Sequence, residues 1–120
     1  MGPCHADRVP RTLRFTWDLQ GKALVSAPPP DDVLADYLTQ ELRPDVSAAQ
    51  RLLRVTRAVR DGQRERWAVP GEGWSLDLSR ARATIHCETT IPGRVLHLPL
   101  EEFEEVVVAW LQFLELSLAH

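Results

Sequence analysis

The sequence predicts an α+β fold: one domain with an antiparallel sheet of five to six strands, in the order β-β-α-α-β-β-β-α, and helices packed on one face of that sheet. Three observations lead there. Apolar and polar residues alternate over residues 12–19 and again from residue 66 to 88, the period of strands buried on one side. Two stretches between them, and a third at the end of the chain, repeat at helical spacing. At 120 residues the chain is the size of a single domain that buries an adequate core without metal or disulfide.

Residues 1–10 carry no such pattern and read as a flexible N-terminal arm, leaving 11–120 as the domain. In the first strand Leu13, Phe15, Trp17 and Leu19 point one way and Thr12, Arg14, Thr16 and Asp18 the other. Gln20-Gly21 supplies a turn, and residues 23–26 return as a second strand. Pro28, Pro29 and Pro30 end it, because consecutive prolines cannot donate to a ladder. Asp31 and Asp32 then favour a helix start. That helix runs to about Leu42 with Val33, Leu34, Tyr37, Leu38 and Leu42 inward, and Pro44 stops it.

Ser47 with Gln50 reads as a capping box opening a second helix. Ala48, Leu52, Val55 and Val59 form its apolar side, and Gly62 is suited to the left-handed conformation that closes helices. Residues 66–69 and 74–78 are strands joined by the turn 70–73, with a further strand over 83–88. One register satisfies every apolar position: Trp74 opposite Cys87, Leu76 opposite Ile85, Leu78 opposite Ala83. Pro92-Gly93 turns the chain, residues 95–98 add a short strand, and Pro99 is a favoured first residue for the final helix.

That final helix starts acidic and becomes apolar around most of its circumference. Leu100, Phe103, Val107, Trp110 and Leu114 form one stripe; Val106, Ala109, Phe113 and Leu116 form a second. The first is expected to cover the sheet. The second either packs on the earlier helices or marks a protein interface, and a homodimer through this helix is the corresponding expectation.

A net charge of −3 gives no composition-level case for nucleic acid or membrane binding. Lys22 is the only lysine among 14 basic residues, a skew that a GC-rich genome also produces. Cys4 and Cys87 are too few and too distant for a disulfide framework. The N-terminus lacks the apolar core of a signal peptide, and the apolar stretch 106–118, broken by Gln112, Glu115 and Ser117, is too short to span a bilayer. A cytoplasmic protein is expected.

The open face of the central hairpin carries Ser75, Asp77, Ser79, Arg82, Thr84, His86 and Glu88. A histidine near carboxylates suits acid–base chemistry, yet a one-sided sheet must show polar residues to water, and no nucleophile accompanies these. No catalytic residue is therefore assigned. His86-Cys87 and Cys4-His5 offer donors that zinc accepts, but neighbours on a strand face opposite ways and neither pair has zinc-hairpin spacing, so no metal or other cofactor is expected. Arg51, Arg54, Arg57 and Arg60 wind along the polar side of the second helix, where phosphate binding is an alternative to simple solvation; interspersed aromatic residues for stacking are missing. Glu101, Glu102, Glu104 and Glu105 complement the helix dipole and also offer an acidic patch to a basic partner. Together with Asp77, Arg82, Thr84, His86 and Glu88 they are the candidate partner-binding residues.

The segments 65–67, 73–78, 83–85, 98–103, 106–110 and 113–114 resemble a group of small bacterial proteins, the YacL-like family, and in layout some immunity proteins of contact-dependent growth inhibition. The resemblance spans residues 63–114 and brings no catalytic residue. It implies a small non-enzymatic protein that binds another protein, such as an immunity or antitoxin-like partner of a cognate toxin. The alternative is a nucleic-acid-associated protein using the arginine-rich second helix.

Overall fold

Six strands and three helices follow one another in the expected order, in a computed structural model that describes residues 13–29, 31–70, 73–89 and 93–118. The N-terminal arm with Cys4 and His5, Pro30, and the centres of the turns at 70–73 and 90–93 lie outside the described residues. The strands are β1 (Arg14–Trp17), β2 (Ala23–Ser26), β3 (Arg66–Pro70), β4 (Trp74–Ser79), β5 (Arg82–Cys87) and β6 (Arg94–Pro99). The helices are α1 (Asp32–Asp36), which continues as a π-helical turn (Tyr37–Leu42), α2 (Val46–Arg60) and α3 (Leu100–Leu118).

The fold is α+β and wholly antiparallel, but its strands divide between two sheets: β1-β2 stands apart as a hairpin, and β3-β4-β5-β6 form the main sheet. The main register pairs Trp74 with Cys87, Leu76 with Ile85 and Leu78 with Ala83, as the apolar alternation requires. Leu96 and Leu98 of β6 extend this buried face. Helices cover it, with α3 against β5 and β6, α2 against β3 and β4, and α1 against β5 and β6.

α3 is the centre of the molecule. Its first stripe, Leu100, Phe103, Val107, Trp110 and Leu114, is buried throughout. Its second stripe is mostly covered as well. Val106 is fully buried, and Phe113 packs under the hairpin, 5.3 Å from Phe15 and stacked on Trp17 at 4.5 Å. Only Leu116, 64% exposed, remains at the surface. The cover for Phe113 thus comes from the β1-β2 hairpin, where the earlier helices or a protein partner were the expected alternatives. The hairpin is also shorter than its alternation suggests: the Asp18 carboxylate accepts from the backbone N–H groups of Gln20 and Lys22, so the turn begins at Asp18 and leaves Leu19 outside.

Two helix starts differ from expectation. α2 is capped by Asp45, whose Oδ1 accepts from Ala48 N at 3.2 Å, not by Ser47, which lies inside the first turn. Its buried side is accordingly Ala49, Leu52, Leu53, Thr56 and Val59, while Ala48 and Val55 turn toward the surface. α3 begins one residue after Pro99, which closes β6. The α2 terminus is as anticipated: Gly62 has φ +83°, and the bonds Gly62 N to Val59 O and Gln63 N to Ala58 O complete the closing turn.

Candidate functional site

The first helix widens where Thr39 sits. Its hydroxyl donates to the carbonyls of Ala35 and Asp36, taking acceptors that an α-helical ladder uses, and the chain runs on with π geometry. In an α-helix residues five apart lie about 140° from each other; the i→i+5 repeat of a π turn brings Tyr37 and Leu42 toward one side. Arg43 ends the turn at φ +64°, an uncommon conformation for a non-glycine residue, and Pro44 follows.

This turn, the N-terminal half of α2 and β3 enclose a groove of about 520 Å³, within the range of roughly 300–1,000 Å³ usual for ligand sites. Leu42, Leu52, Val55, Trp67 and Val69 form its apolar floor and wall, with Tyr37 and Ala48 beside them. Arg51 and Arg54 of α2 and Glu41 of the π-helical turn also line the groove. A smaller recess reaches from the same place toward Trp74 and Leu76. Burial, and secondarily the Glu41 charge, push the Tyr37 hydroxyl well above its ordinary value, so it stays protonated and serves as packing, edge-on to Trp74 at 5.9 Å.

The four arginines of α2 divide into two pairs. Arg57 and Arg60 both bond Glu104 of α3, Arg60 Nη1 at 2.6 Å from each carboxylate oxygen. Arg51 and Arg54 have no carboxylate partner among the described residues. The glutamates of α3 divide likewise. Glu104 is only 8% exposed and is consumed by the helix–helix contact, Glu102 is half-buried, and Glu101 and Glu105 face outward.

The open sheet face collects Asp77, Arg82, Thr84 and His86. Arg66 pairs with Asp77 across β3 and β4, and its hydrogen bond holds the Asp77 carboxyl below the usual carboxylate range. Thr84 Oγ1 lies 3.0 Å from His97 Nδ1, and His86 sits between Ser75 and Val95. Glu88 is exposed just past the end of β5. No set of three His, Cys, Asp or Glu side chains among the described residues is placed to hold a metal.

On the buried face one charge stands out. Arg94 is in phase with Leu96 and Leu98 and donates to Asp32 at 3.2 Å and Asp36 at 2.8 Å, tying α1 to the sheet edge. Burial pushes the neighbouring Cys87 thiol up, but bonds with Thr89 and the Arg94 guanidinium outweigh it and hold the thiol below its ordinary value. An arginine at an inward strand position was the available sequence signal, since such a charge needs a partner. The groove had no such signal, because it is built by three elements distant in the chain.

No helix among the described residues is long and apolar enough to cross a membrane. A family profile described as "Uncharacterised protein family (UPF0231)" matches residues 13–92, which contain every groove residue. The UPF0231 protein of Shewanella oneidensis is 25% identical over 115 residues, covering 83% of this chain and 93% of its own. A UPF0231 protein of Shewanella baltica matches to the same extent. No solved structure matches the chain. These relatives overturn the resemblance to YacL-like and contact-dependent inhibition immunity proteins. The residues that suggested it, among them Trp74, Leu76, Leu78, Ile85, Leu98 and Phe103, are core positions that many sheet-and-helix packings share.

Proposed function

The chain belongs to the UPF0231 family, and from that footing we propose that it is a non-enzymatic protein-binding module whose contact surface is the groove between the π-helical turn, α2 and β3. One observation carries the reading: an apolar-floored groove of about 520 Å³ with two arginines on its rim that no carboxylate of the described chain engages. A surface cavity of this kind, with few polar groups around an apolar floor, is the usual form of a binding site. The open sheet face supports enzymatic action less well, since Asp77 is engaged by Arg66 and Thr84 by His97. Nothing in the groove selects a toxin as the partner.

Nucleic-acid binding by α2 is the second reading. It needs an extended basic track, and half of the arginine row is held by Glu104 instead. Two arginines with no carboxylate partner among the described residues, beside an apolar floor, suit an acidic segment of a protein better.

The test is site-specific photo-crosslinking in cells that express the full chain. A photoreactive residue at Val69 is expected to give a discrete adduct with another protein, and Val55→Arg, which fills the groove, is expected to remove it while the circular dichroism spectrum is unchanged. An adduct that survives Val55→Arg, or none from Val69, counts against the groove.

A further inference from the structure

Resting on that groove reading, we infer that the occupant is an extended, acidic segment of a partner protein that adds as a strand to the free edge of β3. The argument starts from the sheet. Among the described residues β3 pairs only with β4, and so forms one edge of the four-stranded sheet. In an antiparallel ladder alternate residues turn their N–H and C=O groups away from the existing partner, so an edge strand presents unpaired donors and acceptors. β3 ends in Pro70, which has no N–H to give, and the usable edge is therefore residues 66–69.

The groove lies along that same edge. Trp67 and Val69 point from β3 into it, so a strand laid beside β3 places its inward side chains over Leu52 and Val55 of α2. Strand addition draws affinity from main-chain bonds and selectivity from pockets for alternate side chains, and both parts are present here. Charge then sets the chemistry of the segment. Arg51 and Arg54 favour carboxylates beside α2, while Glu41 disfavours them beside the π-helical turn. The occupant is thus acidic toward α2, apolar at alternate positions, and free of acidic residues where it passes the π-helical turn.

A random dodecapeptide library displayed on phage, selected against the full chain, tests this directly. Selected peptides are then synthesised and titrated by calorimetry. Expected are peptides enriched in Asp or Glu next to alternating apolar residues, whose binding is lost with Val69→Arg or Val55→Arg. The double variant Arg51→Glu, Arg54→Glu is expected to weaken them at least tenfold and to select basic peptides instead. N-methylation of every second peptide amide is expected to abolish binding, and methylation of the intervening amides to leave it. Groove-dependent peptides without acidic enrichment overturn the acidic occupant and leave the groove standing. Insensitivity to N-methylation overturns strand addition. A library that yields no groove-dependent peptide overturns the extended segment altogether, while a persistent Val69 cross-link then points to a folded partner.

Discussion

Arg60 and Glu104 join α2 to α3: one guanidinium nitrogen lies 2.6 Å from both carboxylate oxygens, and Arg57 Nε adds a bond at 3.0 Å. The carboxylate is nearly buried, whereas the two arginine side chains are 41–50% exposed. The asymmetry decides what each substitution does. Removing both arginines strands a desolvated charge; removing the glutamate returns two arginines to water. Glu104→Ala is expected to cost roughly 1 kcal/mol in urea unfolding, because solvent screens the pair on the arginine side. Glu104→Leu is expected to be close to neutral, and Arg57→Ala with Arg60→Ala to be the most destabilising of the three. A reversed order would show that the pair, not the desolvation of Glu104, dominates.

Phe113 holds the hairpin to α3 by stacking on Trp17 at 4.5 Å and meeting Phe15 at 5.3 Å. Aromatic pairs of this kind contribute roughly 0.5–1.5 kcal/mol beyond the area they bury. Since among the described residues β1 and β2 have no strand partner other than each other, loss of this contact loosens them first. Phe113→Ala is expected to cost roughly 3 kcal/mol, toward the lower end of large-to-small aromatic substitutions because the ring is half-buried. Hydrogen exchange should rise in β1 and β2 well before β4 and β5. Uniform acceleration across both sheets would mean that hairpin and core unfold as one unit.

Gly73 enters β4 at φ +82°, and a β-carbon there would collide with the Thr89 methyl group. Its carbonyl also accepts from Glu88 N at 2.7 Å, which holds the end of β5 to the start of β4. Gly73→Ala therefore combines a left-handed backbone, about 1–2 kcal/mol for an ordinary residue, with a steric clash. A drop in melting temperature is expected, and Thr89→Ser in the same background should recover part of it by removing the methyl group. No recovery would place the whole cost in the backbone.

The two kinds of periodicity made some of this legible and left the rest invisible. Trp74, Leu76 and Leu78 could face Cys87, Ile85 and Ala83 in one register only, because a slip by one residue turns every apolar side chain outward. Alternation in Leu13 and Phe15 marks an inward side but not which element covers it, and a separate hairpin and a sheet edge give the same pattern. Asp45 and Ser47 are both capping residues, and only the backbone of Asp45, extended at φ −118°, selects between them. The groove combines the π-helical turn with residues of α2 and β3 that no sequence window contains.

Asp77 offers a pH test of the open sheet face. The hydrogen bond from Arg66 lowers its carboxyl, burial opposes, and the charges of Arg66 and His86 lower it further. A carboxyl lower in the folded than in the unfolded chain stabilises the fold above the ordinary Asp value of about 3.9, and that contribution disappears as pH falls through the depressed folded value. Arg66→Ala is expected to bring the Asp77 titration, followed by carbon-detected NMR, up toward the ordinary value. The accompanying loss of stability should appear at neutral pH, shrink on acidification, and stay small, since Arg66 is largely exposed and its pairing is screened by water. An Asp77 titration that stays depressed in Arg66→Ala would move the cause from Arg66 to His86.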